Sequence, residues 1–114
     1  MTNNDFWLTL DKLIRDSKII IDRPKGSSHP KYPDCVYKLD YGYLENTSSM
    51  DGDGIDLWRG SLPENSCDAI LCTVDLLKRD CEIKLFVGCN EEEKNIIINS
   101  FDNENMKGIM IRRK

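Results

Sequence analysis

The 114-residue chain reads as an α+β domain, mainly β: a small closed or nearly closed antiparallel β-barrel, OB-like in plan, with flanking helices. Three observations predict it. Short apolar segments recur at strand length, separated by turns rich in Gly, Pro, Asn, Asp and Ser. Helical periodicity is confined to one segment near each end. Between them the segment 81–89 alternates strictly, with Ile83, Leu85 and Val87 on one face and Glu82 and Lys84 on the other. A helix, several antiparallel strands at short spacing, a second helix and a last strand make a barrel with helices outside. No internal repeat divides residues 1–114, and the length suits one domain.

Residues 4–17 are expected to form a helix. Phe6, Leu10, Leu13, Ile14 and Ser17 recur at helical spacing, Trp7 and Leu8 widen the apolar face, and Asn3 or Asn4 supplies the cap. Ile19–Arg23 reads as a β-branched strand stopped by Pro24. Pro24, Pro30 and Pro33 make residues 24–35 a loop, whose Lys25, His29 and Lys31 are placed to face an anion. Strands are expected over 36–44, 55–59, 67–77 and 81–89, and a last one over 106–112. In the second of these, Ile55 and Leu57 face the core while Asp56 and Trp58 face the other way. Asn90 followed by Glu91, Glu92 and Glu93 opens a helix by a capping box, and Ile97, Ile98 and Phe101 give it an apolar face.

Composition sets limits on function. The net charge of −4 argues against general nucleic-acid binding, which needs excess Lys and Arg to displace counterions. It leaves room for a small anion, because a local cationic pocket or a bound metal reverses the field. The five cysteines are odd in number and contain no C-x-x-C, and no secretory signal is evident. They are expected as free thiols in a reducing cytoplasm. No apolar run is long enough to span a bilayer. A homo-oligomer is compatible with an apolar N-terminal helix and an exposed strand edge.

Met50-Asp51-Gly52-Asp53-Gly54-Ile55-Asp56 places three carboxylates within a few residues. Like charges this close repel unless a cation intervenes. Two readings stand side by side: a solvated acidic turn, or oxygen ligands for a hard divalent ion. An EF-hand does not fit, since Asp56 falls where that loop needs glycine and Leu62 where it needs glutamate.

The context of this stretch resembles the soluble (family I) inorganic pyrophosphatases. That family carries a D-G-D-P-x-D block preceded by Y-G-x-(I/L) and a short Thr/Ser turn. Tyr41-Gly42-Tyr43-Leu44 and Thr47 stand in that order before Asp51. Upstream, Ile21-Asp22-Arg23-Pro24-Lys25-Gly26-Ser27 with Lys31-Tyr32 is similar to the family's I-E-I-P-x-G-S…K-Y-E segment. Downstream, Glu82-Ile83-Lys84-Leu85 is similar to its D-x-K-L strand. The resemblance covers residues 19–87 with gaps.

The resemblance implies Mg²⁺-dependent hydrolysis of pyrophosphate to two phosphates, with Mn²⁺ as an alternative ion. Asp51, Asp56 and Glu82 would be metal ligands. Asp53 would orient or deprotonate the attacking water. Lys31, Tyr41 and Lys84 would hold phosphate oxygens. Several departures bear on these roles. Gly54 replaces the family's proline and Pro33 its acid after K-Y. The hairpin after the acidic block is missing, with its phosphate-binding arginine. The extra acid before D-x-K falls to Asp75 or Asp80, and the C-terminal Tyr-Lys pair has no match; Arg112 and Arg113 would stand in for it only by accident of folding. Two alternatives follow: a non-catalytic metal- or phosphate-binding module, or a phosphoanhydride hydrolase acting on a larger phosphorylated molecule.

Overall fold

A computed structural model describes residues 3–114, except the side chain of Asn3. The order of elements is α1 (Asn3–Arg15), β1 (Ile19–Arg23), β2 (Asp40–Leu44), β3 (Ile55–Arg59), β4 (Ala69–Asp75), β5 (Asp80–Val87), α2 (Glu91–Ser100) and β6 (Met106–Arg112). The helix at each end and the order of strands agree with the expectation from sequence. Because α1 already includes Asn3 and Asn4, neither precedes it as a cap. The position before the helix lies outside the described residues.

The six strands form one sheet in the order β1-β2-β3-β5-β4-β6. All neighbours are antiparallel except β3 and β5, which run parallel. The sheet does not close: β1 and β6 each pair on one side only. The expected barrel is therefore corrected to an open mixed sheet with a helix against each face. Burial is achieved by covering the two faces, not by curling the sheet onto itself.

Strand alternation assigns the two faces. One carries Leu44, Leu57, Ile70, Leu85 and Val87, packed with Trp7 and Ile14 of α1. The helix thus buries Trp7 and Ile14, with Leu10 partly buried, while Phe6 and Leu13 are exposed. This stripe is rotated from the expected one because Trp7 has the larger apolar area to bury. Arg113 fastens the chain's end to α1 by paired bonds to Asp11, each 3.0 Å.

The other face carries Trp58, Ala69, Leu71 and Phe86, packed with Ile97 of α2 and with Leu39. Asn90 caps α2 as expected: its side chain accepts from Glu93 N–H while the Glu93 carboxylate accepts from Asn90 N–H. The expected strand over 36–44 begins only at Asp40. Residues 36 and 37 turn instead to the proline-rich loop, through the Ser28↔Val36 bridge and the bonds Tyr37 N–H to Ser27 O and Gly26 N–H to Tyr37 O. The loop is thereby held against the body of the domain. Among the described residues no helix is long and apolar enough to cross a membrane.

Candidate functional site

Gly42 explains the Tyr-Gly segment before the acidic stretch. A Cβ at this position would collide with the carbonyl oxygen of Ile20, so only glycine lets β1 lie against β2 here. Its neighbours Tyr41 and Tyr43 both point to the α2 face, where they stand opposite Trp58 and Asp56 of β3. Asp56 precedes Leu57 and Lys84 precedes Leu85, and Leu57 and Leu85 are partners in the parallel ladder. Asp56 and Lys84 therefore project on the same face from adjacent strands.

The result is a compact charged unit. Lys84 Nζ lies 2.5 Å from the Tyr41 hydroxyl, 3.3 Å from Asp56 Oδ2 and 3.0 Å from Glu82 Oε2. The Tyr41 hydroxyl donates to Asp56 Oδ2 at 2.8 Å. Only 7% of Lys84 is exposed, so these partners are what make a full charge tolerable there. Burial, and then the Asp56 charge, push the Tyr41 hydroxyl far above its ordinary pKa; it stays protonated as a donor.

The acidic stretch forms the rim of the same cleft. Asp51 Oδ1 accepts from the Ser49 hydroxyl at 2.6 Å and from Asp53 N–H at 2.9 Å. These bonds hold the Asp51 carboxyl below its usual pKa. Gly52 takes a left-handed φ of 86°, which lets the turn close on Ser49. A Cβ on Gly54 would lie 2.8 Å from the Tyr43 ring. Glycine is thus the residue that fits beside Tyr43 where the resembled family has proline.

The cleft has a volume of about 800 Å³ and draws residues from all six strands. Asp51, Asp53, Asp56, Asp75, Asp80 and Glu82 line it, with Tyr41 and Lys84. Six of the seven expected site residues are thus brought together. Lys31 is not: it lies in the exposed part of the loop, where its N–H donates to His29 Nδ1. Nor do Arg112 and Arg113 line the cleft, since they are paired with Glu91 and Asp11.

Arg23, Tyr37 and Trp58 also line the cleft without any expectation of it from sequence, whereas His29, expected to face an anion, does line it. Arg23 Nη1 donates to the Tyr37 hydroxyl at 2.8 Å. The Tyr37 ring stacks on Tyr41 at 5.4 Å, and Tyr41 lies 4.5 Å from Trp58. His29 extends this aromatic wall, and burial and the charges of Arg23, Lys78 and Lys31 lower its pKa. The indole N–H of Trp58 is buried with no protein acceptor. The one legible signal was the placement of Arg23 and Tyr37 at the two ends of a proline-rich loop.

The carboxylates of the cleft are oxygen donors, the type that hard divalent ions prefer. The arrangement is not a preformed cage, because among the described residues no three His, Cys, Asp or Glu groups stand close enough to share a metal. Between Asp56 and Glu82 the cation is the Lys84 ammonium itself. Asp51, Asp56 and Glu82 share a cleft without converging on one point. No family model matches the chain, and no curated protein sequence matches it significantly.

Proposed function

We propose that this cleft binds inorganic pyrophosphate together with Mg²⁺, or Mn²⁺, and hydrolyses it to two phosphates. The observation that carries the reading is the joining of Tyr41, Asp56, Glu82 and Lys84, from three strands, beside an acidic turn in one cleft. Lys84 and the Tyr41 hydroxyl present donors to phosphate oxygens. On binding, Lys84 would exchange its two carboxylate partners for phosphate oxygens, and Asp56 and Glu82 would then be the residues to hold the cation. Asp53, exposed on the rim, is the group available to take the proton of an attacking water. A divalent ion, when bound, lowers the pKa of that water and offsets charge on the phosphates. The cytoplasm, rich in Mg²⁺ and nucleotide-derived pyrophosphate, is the compartment this chemistry suits.

The test is phosphate release from pyrophosphate with and without Mg²⁺, for the wild type and Asp53→Asn. The expected result is Mg²⁺-dependent turnover that falls by about 10²-fold or more in the variant, the scale of a lost general base. No Mg²⁺-dependent turnover above that variant would sink the reading. A second reading, a phosphate-binding module without catalysis, is favoured by the saturation of Asp56 and Glu82 by Lys84. It would show as pyrophosphate binding by calorimetry with no release of phosphate.

A further inference from the structure

We propose that, beyond inorganic pyrophosphate, the cleft takes a diphosphate ester of a hydrocarbon chain, of the prenyl diphosphate type, with its head in the polar cleft and its tail in an apolar groove on the α1 side. This rests on the phosphate-binding reading above and extends its substrate class. The groove has a volume of about 960 Å³ and is walled by Phe6 and Leu10 of α1, Ile55 of β3, Val74 of β4, Ile83 of β5 and Ile109 of β6. Ile83 and Ile109 are 54% and 63% exposed. A contiguous apolar wall of this kind marks a binding surface, not an ordinary scatter of surface residues.

Continuity with the polar cleft identifies the occupant. Asp51, Asp56, Thr73, Asp80 and Glu82 line both cavities. The sheet explains how. The β3–β5 ladder holds only Leu57↔Leu85, Trp58↔Phe86 and Arg59↔Val87. Ile55 and Asp56 on one side, and Asp80 to Lys84 on the other, are not joined by ladder bonds, and the sheet is notched there. On β5 the notch sets Lys84 toward the polar cleft and Ile83, one residue away, toward the groove. A ligand with an anionic head and an apolar tail satisfies both. Pyrophosphate alone leaves the groove unused, and a nucleotide would set ribose and base polar groups against a wall that is mainly apolar. Each methylene the groove removes from water strengthens binding roughly fourfold.

Calorimetry in Mg²⁺ with geranyl diphosphate, pyrophosphate and geraniol tests this on Asp53→Asn protein, in which turnover is suppressed, alone and with Ile109→Asp or Ile83→Thr added. Geranyl diphosphate is expected to bind about tenfold or more tightly than pyrophosphate, and geraniol far more weakly. Ile109→Asp is expected to lower the geranyl diphosphate to pyrophosphate affinity ratio about tenfold, and Ile83→Thr to lower it in smaller measure. The second, milder change keeps the test valid should the first disturb folding. Pyrophosphate binding with no gain for the geranyl ester, or an unchanged ratio in both variants, overturns the tail assignment and leaves the phosphate reading standing. Geraniol binding as tightly as its diphosphate also overturns it, as does a wild-type dimer that Ile109→Asp splits, which would give the groove to a second copy. Binding of neither diphosphate removes the phosphate reading and this inference together.

Discussion

Lys84 carries a full charge in a nearly closed position, and Tyr41, Asp56 and Glu82 compensate it on three sides. Lys84→Met takes away the cation and leaves two carboxylates facing each other. Because both carboxylates keep partial solvent contact, the expected loss of unfolding free energy is about 1–3 kcal/mol, below that for a sealed pair. Urea unfolding measures it. If Asp56 and Glu82 are cation ligands in waiting, millimolar Mg²⁺ recovers more stability in Lys84→Met than in the wild type; equal responses would show that the two carboxylates do not take a metal. Gly54 supports a second residue-scale prediction. Gly54→Pro introduces the residue that the resembled family has, yet its Cβ has the Tyr43 ring and the Leu44 carbonyl in its way. It is expected to destabilise by about 1–3 kcal/mol, the scale of overpacking, as a lower urea midpoint with unchanged slope. At this scale the sequence was most informative. Strand alternation placed Glu82 beside Lys84 and apart from Ile83, which the fold repeats. Lys31 was different, because no periodicity governs where a proline-rich loop sets a side chain.

Elements depend on groups outside themselves, and α2 illustrates it. Glu91 in its first turn is bonded to Lys94 of the same helix and to Arg112 of β6. The Arg112 and Lys94 hydrogen bonds lower the Glu91 carboxyl to about 2 from an ordinary 4.5. A depressed acid contributes stability that is fully present above pH 4.5 and is lost as pH falls through about 2. Glu91→Gln is therefore expected to lower stability near neutral pH and to flatten the acid limb of the stability profile between those two values. Urea midpoints measured from pH 7 down to 2 report both; an acid limb as steep as the wild type's would show that Glu91 is not linked to folding. The helices also mark what periodicity can and cannot tell. Spacing announced α1, but Phe6-Leu10-Leu13 and Trp7-Leu10-Ile14 are both helical stripes. Which one is buried was decided by the sheet it meets.

The whole molecule turns on where the sheet stops pairing. Closure into a barrel requires the first and last strands to meet, a non-local event that alternation within each strand does not encode. The pairing of β3 with β5, reached only after the chain has passed through β4, is equally non-local. Strands and faces were therefore legible while the open topology was not. The same partial β3–β5 ladder leaves the notch that both cavities share. A ligand seated there joins two strands that backbone bonds leave apart, so its effect should be both global and localised. At a hundred times its dissociation constant, a nonhydrolysable pyrophosphate analogue with Mg²⁺ adds about 2.7 kcal/mol and is expected to raise the melting temperature by roughly 10 °C. Amide exchange should slow most over residues 53–57 and 80–84, on either side of the notch, and least in α2. Slowing spread evenly over the chain, or centred on α2, would place the anion elsewhere, because a ligand between β3 and β5 adds its restraint to those two segments, beyond the Lys84–Asp56 bond.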